Sequence, residues 1–144
     1  MSEHPSTPTL MFIAHRDVES RVMDALADAG VTDITQAQSR LLQRLDPAGM
    51  RLTDLAEQAR VTKQTAGALV DQLERAGYVT RRPDPSDARA RLVTLSDKGA
   101  HACRTAAAAV GRVEEQWRKH LGDNAFGDLR AALITLREIT DPYW

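Results

Sequence analysis

Along most of this chain apolar residues recur at the three-to-four spacing of an amphipathic helix, and over one stretch they do not. From Leu10 to about Ala29, one stripe holds Met11, Ala14, Val18, Val22, Ala25 or Leu26, and Ala29, and Gly30 ends it. The preceding residues 1–8 are polar and contain proline, which predicts a frayed start. Thr35-Gln36-Ala37-Gln38 has capping-box spacing, so a helix is expected from Gln36 to about Leu45, stopped by Asp46-Pro47-Ala48-Gly49. Leu52, Leu55, Ala56 and Ala59 then fall at i, i+3, i+4, i+7, with Thr53 expected as N-cap. A break at Ala59-Arg60-Val61 leads to Thr62 as a second N-cap, and Ala66, Leu69, Val70 and Leu73 repeat the same stripe up to Gly77.

The departure follows. Tyr78-Val79-Thr80-Arg81-Arg82 has strand propensity, Pro83-Asp84-Pro85-Ser86-Asp87 is expected to be irregular, and Ala90–Leu95 reads as a return strand. A hairpin with a long charged tip is predicted there. Helical spacing then resumes. Ser96 is expected to cap a helix of about 25 residues along Cys103, Val110 and Trp117 to Leu121. Gly122 ends it, and a last helix carries Phe126, Leu129, Leu133, Leu136 and Ile139.

Composition narrows the class. In 144 residues, 42% apolar and 4% aromatic, a helical core is favoured over a sandwich or barrel, and the length fits one domain or one domain plus an arm. One cysteine excludes an intrachain disulfide, no apolar run approaches a membrane span, and the start has no signal core, so a cytoplasmic protein is expected. The net charge of −1 is unevenly spread: residues 50–104 hold 10 Lys/Arg against 7 Asp/Glu, whereas residues 1–49 hold 4 against 7. A basic middle segment permits a phosphate-binding face.

Two short helices joined by a tight turn have helix-turn-helix dimensions. With Ala66, Leu69, Val70 and Leu73 buried, the second helix presents Lys63, Gln64, Thr65, Gly67 and Ala68 at its N-terminal end. Gln64 suits adenine, Thr65 and Ala68 a thymine methyl, and Lys63 phosphate or guanine, while Gly67 lets the backbone come close. The hairpin adds Arg81, Arg82, Arg89 and Arg91. A tip arginine suits a narrow minor groove, and Asp87 is spaced to pair with Arg89 and set its direction.

Other chemistry is thin. His4, His15, His101 and His120 lack ligand spacing, so no metal or other cofactor is expected. Cys103 falls on an apolar stripe, where a small buried hydrophobe is favoured over a reactive thiol. With no Gly-rich phosphate loop, GxSxG or HExxH motif, no enzyme is expected. Two alternatives stand beside DNA binding: a winged-helix protein-interaction module, and a redox-responsive regulator using Cys103.

At these residues the chain resembles the MarR family of winged helix-turn-helix transcriptional regulators. The likeness lies in Leu52-Thr53-Asp54-Leu55-Ala56, in Leu69 through Val79, in Asp84-Pro85-Ser86-Asp87-Ala88-Arg89, and in Leu95-Ser96-Asp97-Lys98-Gly99. It implies a mainly α fold with a small β-hairpin wing: an N-terminal dimerisation helix (1–34), a winged helix-turn-helix lobe (35–99) and C-terminal dimerisation helices (100–144). It implies a homodimer on double-stranded DNA with a pseudo-palindromic operator. The recognition helices, around Lys63–Arg75, would lie in major grooves and Arg89 in the minor groove, with Thr53 and Thr62 among the contacting residues. It further implies a repressor relieved by a small phenolic or lipophilic effector, in a pocket from the first, second and fifth helices, with Phe12, His15, Arg16, Leu41 and Trp117 as its lining. The reactive cysteine that the family's organic-hydroperoxide-sensing members carry near the chain start has no counterpart here. Gly67 and Ala68 stand where many members carry larger polar residues, so shape and phosphate contacts are expected to carry more of the specificity.

Overall fold

Among the described residues, 3–143, the computed structural model forms six helices and one antiparallel hairpin. In chain order these are α1 (Thr7–Asp28), α2 (Gln36–Leu42), α3 (Leu52–Ala59), α4 (Lys63–Arg75), β1 (Val79–Asp84), β2 (Asp87–Leu95), α5 (Asp97–Leu121) and α6 (Asp123–Thr140). The three side-chain caps at Thr35, Thr62 and Ser96 are made as expected. Thr35 and Gln38 form a complete capping box, the Thr62 hydroxyl accepts from the Thr65 N–H at 3.0 Å, and Ser96 accepts from Gly99 at 3.0 Å.

Four local expectations are corrected. Helix α1 starts at Thr7, inside the expected frayed segment, because Pro8 in its first turn has a backbone angle that suits a helix start; residues 1 and 2 lie outside the described residues. Helix α2 stops at Leu42, three residues early, since the chain must leave helical geometry ahead of Pro47. Thr53 is not an N-cap: α3 starts at Leu52 behind Arg51, which makes no side-chain cap bond. The start is set by Met50, which bridges Val93 of β2 through two backbone hydrogen bonds of 2.7 and 3.1 Å. The hairpin tip is short, with Pro83, Asp84 and Asp87 inside the strands and only Pro85-Ser86 between them. Pro83 is tolerated in a two-stranded ribbon, and the register shift after it absorbs the extra residues in β2.

The core is centred on the middle of the chain. Leu41, Leu55, Val70, Leu73, Tyr78 and Val79 are almost fully buried, joined by Val22 and Leu26 from α1 and Ala102 and Ala109 from α5. Each large apolar side chain so buried contributes about 1.5–3 kcal/mol.

Two ties fix this lobe to the long helices. At the end of α4, Gly77 adopts φ +87°, and the N–H groups of Gly77 and Tyr78 close back on Glu74 and Leu73. The start of α5 is pressed against this turn: Ser96 Oγ donates to the Gly77 carbonyl at 2.5 Å and Lys98 Nζ donates to the Ala76 carbonyl at 2.7 Å. Lys98 also lies 4.3 Å above the ring of Tyr78, whose hydroxyl donates to the Asp33 carboxylate. Gly99 makes the approach possible, since a Cβ there would sit 2.0 Å from the Tyr78 carbonyl oxygen. The second tie joins α1 to α2: Arg40 donates from Nε and Nη2 to buried Glu19 at 2.7 and 3.0 Å.

Candidate nucleic-acid interface

The N-terminal turns of α4 expose Lys63, Gln64, Thr65 and Ala68, while Ala66, Val70 and Leu73 face the core. The first turn holds no acidic residue, so the partial positive charge of the helix start is unopposed. Thr62 exposes its side chain beside the same turn, although its hydroxyl is engaged locally: it caps the Thr65 N–H and donates to Thr65 Oγ1 at 3.0 Å. Gly67 is placed differently from its expected outward position. It is half-buried, and a Cβ there would lie at an ordinary contact distance of 3.6 Å from Leu52 of α3. Thr53 is exposed in the first turn of α3. Arg75 is exposed in the last turn of α4, twelve residues or about 18 Å beyond Lys63.

The wing arginines divide into two kinds. Arg81 is mostly covered and committed within the chain: its guanidinium meets Asp71 at 2.7 Å and Glu74 at 2.8 Å, both on α4. It therefore braces the wing against α4 and offsets the charge of two carboxylates there. Arg82, Arg89 and Arg91 are exposed, and their guanidinium groups have no hydrogen bond or ion pair among the described residues.

The tip is held by carboxylates. Asp84 accepts from the Ser86 N–H and hydroxyl, each at 2.8 Å, and from Arg51 Nε and Nη2, each at 2.9 Å. The Ser86 N–H, the Ser86 hydroxyl and Arg51 together hold the Asp84 carboxyl below its ordinary range. Asp87 does not pair with the Arg89 guanidinium, as its spacing had suggested. Its Oδ1 accepts from the Arg89 backbone N–H at 3.0 Å, and its Oδ2 lies 3.8 Å from Arg51. The carboxylate thus fixes the main chain from which Arg89 projects and leaves the guanidinium free for a ligand.

Sequence reasoning missed Arg51. It sits 33 residues from Asp84, and the fold brings the two together beside the Met50–Val93 bridge, so no local spacing could have pointed to it.

The five residues expected around an effector are scattered. Leu41 is a core residue, and Phe12, His15 and Arg16 are exposed on α1, with His15 3.8 Å from Glu19. Trp117 lines a different cleft, between α5 and α6, with Phe126, Leu129, Leu133 and Ile134. Cys103 is half-buried on α5 against the core, and burial pushes its thiol above the ordinary range, which disfavours the reactive thiolate.

Comparison with known proteins places this arrangement. A family model described as MarR family matches residues 30–90, from the end of α1 through the wing. The transcriptional activatory protein BadR of Rhodopseudomonas palustris is 33% identical over 93 residues, covering 65% of this chain and 52% of that protein. The chain thus spans about half the length of that curated relative. Among solved structures, the transcriptional repressor CouR bound to a 23-mer DNA duplex is 26% identical with a TM-score of 0.69, over 94% of this chain and 99% of that one. The reduced form of MarR from E. coli matches with a TM-score of 0.75 at 23% identity, over 94% and 98%. NadR in complex with 4-hydroxyphenylacetate matches at 0.70 and 24%, over 96% and 97%.

Proposed function

We propose that this chain, which matches the MarR family over residues 30–90 and resembles that family's winged helix-turn-helix regulators in fold, is a homodimeric repressor of its own or neighbouring genes, released from DNA by a small organic effector. In this reading α4 enters the major groove with Lys63, Gln64, Thr65 and Ala68, and Arg89 enters the flanking minor groove. Arg82 and Arg91 meet phosphates, with Thr53, Thr62 and Arg75 at the edges of the contact. Arg81 and Asp87 act as positioning residues.

The observation that carries the reading is the pairing of an exposed, acid-free helix start with a wing whose backbone is fixed and whose tip arginine is unpaired. Both features present positive charge to solvent, which suits phosphate. Dimerisation is supported by the large apolar side chains left bare on α1 and α6. Two-fold symmetry then sets half-sites about 10 bp apart, centre to centre. Repression needs only occupancy of a site that overlaps a promoter, which this lobe supplies unaided. Activation, the sign in the name of the R. palustris relative, requires a further contact with polymerase.

The test is fluorescence anisotropy against DNA upstream of the chain's own gene and a scrambled duplex, at several salt concentrations. Preference of about a thousandfold or more for the upstream DNA, with affinity falling as salt rises, is the expected result. Equal weak binding to both duplexes would refute sequence-specific regulation at that site, and a footprint that leaves the promoter clear would refute repression.

A further inference from the structure

The hairpin closes on two like charges. Asp84 ends β1, Asp87 opens β2, and the two are partners in the strand register, with Pro85 and Ser86 between them. Like charges directly opposite each other weaken a strand pair, and a lone two-stranded ribbon is marginal in water. What offsets the repulsion comes from outside the hairpin. The Arg51 guanidinium donates from Nε and Nη2 to Asp84 Oδ2, each at 2.9 Å, and Nη2 lies 3.8 Å from Asp87 Oδ2. Asp84 is buried, its other oxygen is taken by Ser86, and no second cation pairs with it among the described residues.

Arg51 can span the two strands because its own backbone is fixed on both sides. Upstream, Gly49 has φ +94°, and a Cβ there would lie 2.8 Å from Thr94 Cγ2, so the chain passes against β2 where a side chain has no room. Met50 then bridges Val93 through its two backbone hydrogen bonds. Downstream, α3 begins at the next residue and buries Leu55 and Ala56 in the lobe. The guanidinium therefore ties the wing tip to the frame of the helix-turn-helix. From the held tip the order continues through Asp87 Oδ1, which accepts from the Arg89 N–H at 3.0 Å.

We propose that Arg51 is a positioning residue that determines specificity: it reads no base itself, and it sets where Arg89 stands relative to α4. The proposal rests on the DNA-binding reading above. Arg89 discriminates a narrow minor groove only if its main chain arrives there at a fixed place, and a loose tip would have to give up its freedom on binding. Non-specific binding draws on total charge and makes no such demand. Loss of Arg51 is thus felt on the correct sequence and not on a random one.

The test uses the full chain with Arg51→Gln, Arg51→Lys, Arg89→Ala and the double variant Arg51→Gln with Arg89→Ala. Amide hydrogen exchange followed by NMR reads the tip without DNA. In Arg51→Gln the Ser86 and Arg89 amides are expected to exchange about tenfold faster, while those of Met50 and Val93 stay as they are and show that the lobe is folded. In fluorescence anisotropy, affinity for DNA upstream of the chain's own gene is expected to fall about tenfold, and for a scrambled duplex less than about twofold. In the Arg89→Ala background Arg51→Gln should add less than about twofold, because the two act through one contact. Arg51→Lys keeps the charge, loses the fork, and is expected to recover less than about half of the loss. Unchanged exchange at Ser86 and Arg89 overturns the proposal, as do additive losses in the double variant or full recovery by lysine. Equal weakening on both duplexes, with the salt slope reduced by about one, also overturns it, because Arg51 would then meet phosphate itself. A wild type with no preference between the duplexes refutes the regulator reading, and the exchange measurement still decides whether Arg51 holds the tip.

Discussion

The lobe of α2, α3, α4 and the hairpin completes its packing within one chain, and the arms of α1 and α6 do not. In the lobe Ala66 and Val70 have no exposed surface, and Leu55, Leu73, Tyr78 and Val79 are within 1% of that. In the arms, Leu10, Met11, Phe12 and Ile13 are all bare, and so are Leu129, Leu133, Leu136 and Ile139, the last at 84% exposure. Both regions show the same three-to-four periodicity in sequence. Periodicity states that a face needs cover and is silent on what covers it. In the lobe the cover is β-hairpin and neighbouring helix; at the arms no described residue supplies it, and in the proposed homodimer a second copy would bring an identical apolar stripe.

The comparison breaks most visibly where the two regions meet. Gly99→Ala places a Cβ 2.0 Å from the Tyr78 carbonyl oxygen, and neither backbone can yield without opening the turn after α4. A loss of about 3 kcal/mol or more is expected in chemical denaturation. Gly111→Ala, the same change further along α5, faces open space and is expected to gain about 0.5–1 kcal/mol from helix propensity. Equal effects of the two changes would show that the junction is not tight.

Next in size is the cover of the arms. Leu136→Glu with Ile139→Glu is expected to convert a dimer into a monomer in sedimentation equilibrium. Operator affinity should fall about a hundredfold or more as two linked half-site contacts become one. The lobe's own melting should hardly move, because neither side chain contributes to its core. A variant that stays dimeric would place the dimer contact elsewhere.

Much of this was legible in the sequence, and what was missed shares one cause. Helix stripes and three caps were readable because their determinants lie within four residues of one another. The wing's chemistry was harder. Spacing put Arg81 and Arg89 in one class, yet Arg81 is spent on Asp71 and Glu74, which only the fold brings beside it. Arg51 was invisible because its partner Asp84 lies across the sheet. Gly67 read as fully outward because a missing side chain is silent on how deep its position sits, and the fold leaves it half-buried near Leu52.

That division within the wing gives the third prediction. Arg89→Ala is expected to cost about 1–3 kcal/mol of specific binding and to leave thermal stability unchanged. Arg81→Ala is expected to do the reverse: it frees Asp71 and Glu74, lowers stability by up to about 1 kcal/mol, and weakens DNA binding less. Anisotropy and melting on both variants decide it, and identical profiles would return the two arginines to one class.

The smallest effects come from pH, and they report on the two ties between lobe and arms. The hydrogen bonds from Arg40 hold the Glu19 carboxyl below its ordinary value of 4.5. A carboxylate favoured in the folded state lends stability that is fully present above that ordinary value and is lost as pH falls through the lower, folded one. Tyr78 behaves oppositely. Burial first, then its bond to Asp33, pushes the phenol from 10.0 up to about 12, so its contribution is full below 10 and fades as pH rises toward 12. Melting temperature followed across pH should therefore lose part of its acid decline in Glu19→Gln and part of its alkaline decline in Tyr78→Phe. Absorbance at 295 nm should show the Tyr78 step only near pH 12. If Glu19→Gln keeps the whole acid limb, the α1–α2 tie carries no stability, and the arm is fixed to the lobe through the Tyr78–Lys98–Gly99 junction alone.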